Sequence, residues 1–294
     1  MRITSDWHIH SQNSCDGACM PVAELVAGAR ELGITDYGLT DHFHTPYNLP
    51  DIAASRTEFL ESDPPAGFHF GIEVSVVSQW ELDEIAAGRC EDPTYGVRSG
   101  GPPGGAIAIG LRAADIEAHG IEYVVGGTHW PMYVPFEREA IIRDYHRQNL
   151  LLATCPLVDV VAHPWWWMGH WQNDQGMYAA EPWFDDFGAI PRSMHDEFAA
   201  AAVANQAVVE INTSAMLLNG QYPEHFKRQY LAYLAELRGR GVKLCIGSDC
   251  HSADYRVPFE RVARMLESIG LRDEELWRLG PRPAGDAGDA AATG

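Results

Sequence analysis

In Asp36-Tyr37-Gly38-Leu39-Thr40-Asp41-His42, the first five residues read as a short buried strand, which ends on Asp41-His42 and so delivers a histidine at its C-terminal end. The residues before it, Pro21 to Gly33, place apolar side chains at 22, 25, 26, 29 and 32, with Pro21 suited to a first turn and Gly33 to a stop. This spacing predicts a helix, so the unit is helix, then strand, then a polar residue able to bind. The same unit recurs along the chain. A helix near Ile52 to Glu61 precedes a strand, Phe68 to Ile72, that ends at Glu73, and Ile121 to Val125 runs through Gly126-Gly127-Thr128 to His129. Arg138 to Ala153 is strongly helical. Leu157 to Ala162 is β-branched, too short for a helix, and ends at His163-Pro164.

Further along, Ser193 to Gln206 is an alanine-rich helix with Ser193 as its expected N-cap. Ala207-Val208-Val209 leads to Glu210, Tyr222 to Arg240 is a long helix, and Val242 to Ile246 is a buried strand closed by Gly247-Ser248-Asp249-Cys250-His251. Pro258 to Ile269 is the last helix. At the N-terminus, Asp6-Trp7-His8-Ile9-His10 follows another short strand; residues two apart on a strand share a face, which sets two imidazoles side by side. Residues 82–105, rich in Gly and Pro, are expected to form an irregular insertion that could hold a short helix, with Ala106 to Leu111 as a strand and Ala113 to His119 as a short helix. A long aromatic loop, 165–192, follows His163 and carries Trp165, Trp166, Trp167, Trp171 and Trp183. Residues 280–294 have the composition of a disordered tail.

Strand and helix alternate about seven times, without a composition break to mark a linker, so residues 1–279 are expected to form one domain with a parallel sheet. No glycine-rich dinucleotide or phosphate-binding loop follows the first strand, which favours an α/β barrel over a doubly wound sheet. In such a barrel the strand C-terminal ends converge on one face and build the site.

The 294 residues include 41 acidic and 21 basic side chains, a formal charge of −20 that opposes binding to nucleic acid or to an anionic membrane. With neither a signal-like leader nor a long apolar run, the chain is expected to be cytoplasmic. Its six cysteines lack metal-site spacing and are expected to be reduced and mostly buried. The oligomeric state is not legible.

His8, His10, His42, Glu73, His129, His163, Glu210, Asp249 and His251 all stand at strand ends. For any single one of them, a hydrogen-bonded core histidine or a capping carboxylate is an adequate explanation. Taken together they are not so explained, because a dry cluster of imidazoles and carboxylates is costly without cations.

As a set, His8-Ile9-His10 with Asp16, Thr40-Asp41-His42, Gly71-Ile72-Glu73, Gly127-Thr128-His129, Ala162-His163-Pro164, Glu210-Ile211-Asn212 and Gly247-Ser248-Asp249-Cys250-His251 resemble the polymerase and histidinol phosphatase (PHP) superfamily of metal-dependent phosphoesterases, from Ile3 to about Ile269. The resemblance implies an α/β fold, a distorted (β/α)7 TIM-like barrel, with two to three divalent metal ions (Zn, Mn or Fe) at the strand C-terminal ends. Carried over by residue, it implies one metal on His8, His10, Glu73 and Asp249, a second on Glu73, His129 and His163, and a third on Asp16, His42 and His251. It puts the catalytic work on Glu73, Asp249 and His251. Glu210 falls outside that ligand set and is read either as a support for the ligands or as a structural acceptor.

The implied activity is hydrolysis of a small phosphomonoester, as in a histidinol phosphatase, by a hydroxide bridging two metals. Alternatives are a phosphodiesterase, hydrolysis of a C–N or C–O bond in an amide or lactone, and a non-catalytic metal-binding module. Substrate contacts are expected from Arg192 or Arg256, since an Arg can fork two bonds to one phosphate, and from His44, Trp165 and Trp166. The expected partner is a small-molecule substrate.

Overall fold

Short runs of β-branched and aromatic residues can be buried on both faces only if helices cover the sheet, and the strand–helix alternation of the chain arranges this. The computed structural model describes residues 1–97, 99–166 and 186–279. In chain order the elements are β1 (Ser5–Asp6), α1 (Val22–Leu32), β2 (Asp36–Leu39), β3 (His42–Phe43), α2 (Leu49–Glu61), β4 (Phe68–Ser78), α3 (Gln79–Ala86), β5 (Ile107–Ile109), α4 (Ala113–His119), β6 (Tyr123–Gly127), α5 (Arg138–Thr154), β7 (Val160–Ala162), α6 (Arg192–Asn205), β8 (Val208–Asn212), α7 (Glu224–Gly239), β9 (Lys243–Gly247) and α8 (Phe259–Glu267).

Seven strands run in the order β1-β2-β4-β6-β7-β8-β9, each parallel to the next. The two ends of that path meet. Trp7 N–H donates to the Ile246 carbonyl at 2.8 Å, Asp249 N–H to the His8 carbonyl at 2.7 Å and His10 N–H to the Cys250 carbonyl at 3.1 Å. The result is a nearly closed α/β barrel of TIM-like type, as the alternation predicts.

Inside the barrel, Trp7, Tyr123, Val125, Val160, Ala162, Val208 and Cys245 form a buried plug, capped from below by Trp277. The Tyr123 hydroxyl donates to the Trp7 carbonyl at 2.9 Å, and its ring lies so close to Gly38 and Gly71 that a Cβ at either position would overlap it. Those two glycines are therefore required by packing rather than by a turn. The larger core lies between the sheet and the helices, with Leu25, Ile52, Phe59, Phe70, Phe198, Leu234 and Leu266 among its fully buried side chains.

Several boundaries differ from the sequence reading. β4 does not end at Glu73; it runs for 11 residues in all, to Ser78, because β3 pairs with Glu73 and Val74, β6 stays in register as far as Ser75, and β5 adds antiparallel to its last three residues. β8 likewise runs through Glu210 to Asn212. The irregular excursion starts at about residue 87 rather than 82, since Ser78 and Glu81 form a reciprocal capping box that starts α3. α6 begins at Arg192 behind Pro191, so Ser193 is inside the helix and is not its cap. Of the six cysteines, all free, only Cys245 and Cys250 are buried. The tail 280–294 and the loop residues 167–185, with Trp167, Trp171 and Trp183, lie outside the described residues. Among the described residues no helix is long and apolar enough to cross a membrane.

Candidate metal centre

The C-terminal ends of the strands converge as expected, and Glu73 stands at the centre. Because β3 and β6 pair with it on either side, its backbone is held in mid-sheet and its completely buried carboxylate projects into the barrel mouth. Its two oxygens face different groups. Oε1 lies 3.1 Å from His129 Nε2 and 3.0 Å from His163 Nε2. Oε2 lies 3.1 Å from His8 Nε2, 3.5 Å from His10 Nε2 and 2.9 Å from His42 Nδ1, yet it accepts no hydrogen bond of acceptable geometry. Gly127 belongs to the same packing: a Cβ there would stand 2.5 Å from the His129 ring, 2.6 Å from Glu73 Oε1 and 2.9 Å from the His163 ring.

Around this centre the remaining residues gather in sets. Asp249 Oδ1 is 3.6 Å from His8 Nε2, 3.3 Å from His10 Nε2 and 3.4 Å from His251 Nδ1. Asp16 Oδ2 is 2.6 Å from His251 Nε2 and 3.3 Å from His42 Nε2. Among the described residues four triads could each hold an ion: His8, Glu73 and His163; His42, Glu73 and His129; His8, His10 and Asp249; and His10, His42 and His251. All nine residues singled out as ligands are thus brought together, although His10 stands between two of the sets implied by the resemblance. His163, Asp249 and Trp165 adopt positive φ (25°, 54° and 70°), backbone that non-glycine residues seldom occupy, and two of the three belong to the cluster.

The donor chemistry fits cations. His8 Nε2 and His10 Nε2 face each other at 3.0 Å, while His8 Nδ1 is committed to Glu210 Oε1 at 2.7 Å. With a proton on Nδ1, neutral His8 turns a lone pair toward His10, Glu73 and Asp249, an arrangement that a cation between them satisfies. Glu210 also accepts from the His163 backbone N–H at 2.6 Å and from Asn212 at 3.1 Å, so this buried carboxylate orients two members of the cluster at once. Farther out, Asp6 accepts from the Ser248 backbone and from the Tyr255 hydroxyl, and Asp41 from Ser11 and Ser55.

Charges follow from these contacts. Burial alone would push the Glu73 carboxyl up, but His8, His129 and His42 hold it well below the usual carboxylate range. Burial disfavours a charged His8, and the nearby Glu73, Glu210 and Asp249 outweigh it, so its pKa lies well above that of a free imidazole. Despite burial, Glu73 and Asp16 raise His42 to about 10. The opposite holds for His10, pushed down to about 3 by burial and then by the neighbouring His251 and His42, and for His129, which burial lowers to about 4 in spite of Glu73. Asp6 rises to about 6 on burial, partly offset by its bonds to Ser248 and Tyr255.

A cavity of about 380 Å³ opens beside the cluster, lined by Asp16, His42, His129, His163, Asp249 and His251 and walled by His44, Tyr95, Trp130, Trp166, Ser214 and Ala215. Two of the residues expected to contact substrate are at this cavity: His44 lines it, and Trp166, also in its wall, packs edge-on against His163 with centroids 4.9 Å apart. Three are not. Trp165 is fully buried on the other side of the loop start, stacked on His146 and edge-on to His195, because its positive φ turns consecutive indoles in opposite directions. Arg192 is exposed and ion-paired with Asp196 and Glu236, and Arg256 is exposed beside Asp254. Among the described residues no Lys or Arg lines the cavity.

Tyr95 and Trp130 were not anticipated. Trp130 directly follows His129 and could have been inferred from that adjacency. Tyr95 lies in the Gly- and Pro-rich excursion, where no periodicity points inward; it is placed by its hydroxyl, which donates to the Cys15 carbonyl at 2.7 Å, and by Thr45, which donates to the Pro93 carbonyl at 2.9 Å.

Comparison with known proteins agrees with this geometry. The PHP domain family model matches residues 6–214, more than half of the chain, and the chain belongs to that family. Its relatives include the probable phosphatase YcdX of Escherichia coli O127:H6 and the protein of the same name from Shigella boydii serotype 18, each 22% identical over 280 residues, which cover 94% of this chain and 90% of the relative. Among solved structures, the Listeria monocytogenes protein hisK, which carries the name of a histidinol phosphatase, superposes with a TM-score of 0.56 at 12% identity, covering 85% of this chain and 96% of its own, a likeness of fold. Family and relatives together support a hydrolase of phosphoesterase type.

Proposed function

We propose that the protein is a metal-dependent phosphoesterase that hydrolyses a small phosphomonoester. The observation that carries this reading is the divided environment of Glu73: one buried carboxylate turns each oxygen to a separate set of imidazoles, and Oε2 accepts no hydrogen bond. Two to three divalent ions, Zn, Mn or Fe by the mixed imidazole and carboxylate donors, would be held by His8, His10, Glu73 and Asp249, by Glu73, His129 and His163, and by Asp16, His42 and His251. When bound, such ions supply Lewis acidity toward the phosphoryl group and lower the pKa of water toward neutrality.

The chain's own residues prepare the site. Glu210 fixes His8 with its proton on Nδ1, and the same carboxylate anchors the strained backbone at His163. Trp130, Trp166 and Tyr95 wall the cavity with apolar surface that excludes water and packs against the non-reacting part of a substrate.

A second reading, hydrolysis of an amide or lactone, is favoured by one feature: no Lys or Arg among the described residues lines the cavity to neutralise a phosphate. Elemental analysis of the purified protein, together with a screen of phosphomonoesters and phosphodiesters against simple esters and amides, separates the two. Turnover of phosphomonoesters that is abolished by chelation and restored by metal is the expected result. Turnover of amides or lactones alone would replace the first reading with the second.

A further inference from the structure

Ser75 stands on β4 two residues beyond Glu73, on the same face of the strand, and is completely buried. Its hydroxyl lies 2.6 Å from Nδ1 of His44 and 2.7 Å from Nδ1 of His129. A hydroxyl has one proton, so it donates to one of these nitrogens and must accept from the other. The direction of this two-bond chain is thus set by which imidazole carries a proton on Nδ1.

That choice is tied to the other nitrogen of His129, which is 3.1 Å from Glu73 Oε1. If Nε2 is protonated and donates to Glu73, neutral His129 offers Nδ1 as an acceptor; Ser75 then donates to His129 and accepts from Nδ1–H of His44. If Nε2 holds a cation, neutral His129 must carry its proton on Nδ1. It then donates to Ser75, Ser75 donates to His44, and His44 is left with its proton on Nε2.

We propose that Ser75 couples the metal centre to the tautomer of His44, so that loading of His129 reverses the chain His129–Ser75–His44 and moves the His44 proton from Nδ1 to Nε2. This rests on the reading of His129 as a metal ligand. The protons balance: the one displaced from His129 Nε2 is matched by the one gained on His44 Nε2, and the three side chains hold the same number before and after. His44 lines the substrate cavity, its ring centroid 5.4 Å from those of Tyr95 and Trp130. In the loaded protein it becomes an Nε2–H donor suited to an anionic oxygen of the substrate, in a wall where no Lys or Arg of the described residues stands. Ser75 is a positioning residue in this scheme, acting through two imidazoles.

The test is long-range 1H–15N correlation of the full-length, histidine-labelled protein, stripped of metal and then titrated with zinc, with His44→Gln and His129→Gln variants for assignment. On zinc addition, His129 should pass from the Nε2–H to the Nδ1–H pattern, and His44 from Nδ1–H to Nε2–H. Ser75→Ala should leave His44 indifferent to zinc and weaken zinc binding roughly 10- to 100-fold, while Ser75→Thr, which keeps the hydroxyl, should restore the coupling. If His129 changes and His44 does not, or if His44 follows zinc equally well in Ser75→Ala, the coupling is wrong and the metal reading stands. If zinc binds without altering His129, both fall.

Discussion

Replacing Glu210 by Gln keeps the shape of the side chain and removes one acceptor, which makes it a sharp probe of how the cluster is held. Glu210 Oε1 faces His8 Nδ1 at 2.7 Å, and Oε2 faces the His163 backbone N–H at 2.6 Å and Asn212 Nδ2 at 3.1 Å. A Gln can direct its one carbonyl oxygen to only one of these sides. Directed at His8, it turns its NH2 group toward two donors that cannot reverse. Directed at His163 and Asn212, it turns NH2 toward His8, which can respond by moving its proton to Nε2. The second arrangement costs less, and it blocks the nitrogen that faces His10, Glu73 and Asp249.

Zinc affinity should therefore fall about 10- to 100-fold, or roughly 1.4 to 2.7 kcal/mol. Imperfect pairing of a buried group should cost a further 1 to 3 kcal/mol or so of stability, a drop of roughly 2 to 8 °C in melting temperature. Competition against a chromophoric chelator and thermal melts of the metal-free protein measure the two separately. A variant whose zinc affinity lies within about twofold of the parent would refute the argument that Glu210 sets the His8 tautomer.

Glu73→Gln should release two ions together, since each of its oxygens serves a different set of imidazoles; elemental analysis showing the loss of one equivalent alone would count against a bridging carboxylate. Trp165→Ala and Trp166→Ala should separate cleanly. The first should lower stability by about 3 to 5 kcal/mol with its substrate preference intact, and the second should change the ratio of turnover on a preferred substrate to that on nitrophenyl phosphate with little effect on the melt. His195, half-buried against Phe187, Tyr233 and Trp165, has its pKa lowered by that partial burial to about 4. Below pH 6.5 the unfolded chain takes up a proton there that the folded chain refuses, so this share of stability is whole above pH 6.5 and is lost as pH falls toward 4. His195→Phe should accordingly melt with a shallower decline between pH 7 and 5, and parallel declines in parent and variant would remove His195 from the acid response.

Periodicity and residue type are local properties, and what depends on them was legible in the chain. Apolar spacing in Pro21 to Gly33 and the β-branched run at Leu157 to Ala162 reported a helix and a strand, and their alternation reported a barrel whose strand ends share one face. His8, His10, His42, Glu73, His129, His163, Asp249 and His251 could be grouped for that reason, because each sits at or just beyond a strand whose direction is set by the alternation. Contacts between distant segments were not legible. That β4 runs through Glu73 depends on pairing with His42, Phe43 and Val125, which no local pattern reports. The opposite fates of Trp165 and Trp166 turn on one positive φ. Arg192 and Arg256 met carboxylates outside the cavity, where Coulomb attraction is satisfied in solvent, while Tyr95 arrived in the wall through hydrogen bonds from an aperiodic segment. Only the tertiary structure brings Ser75 between His44 and His129, because hydrogen-bond partners 31 and 54 residues away along the chain are chosen by strand register.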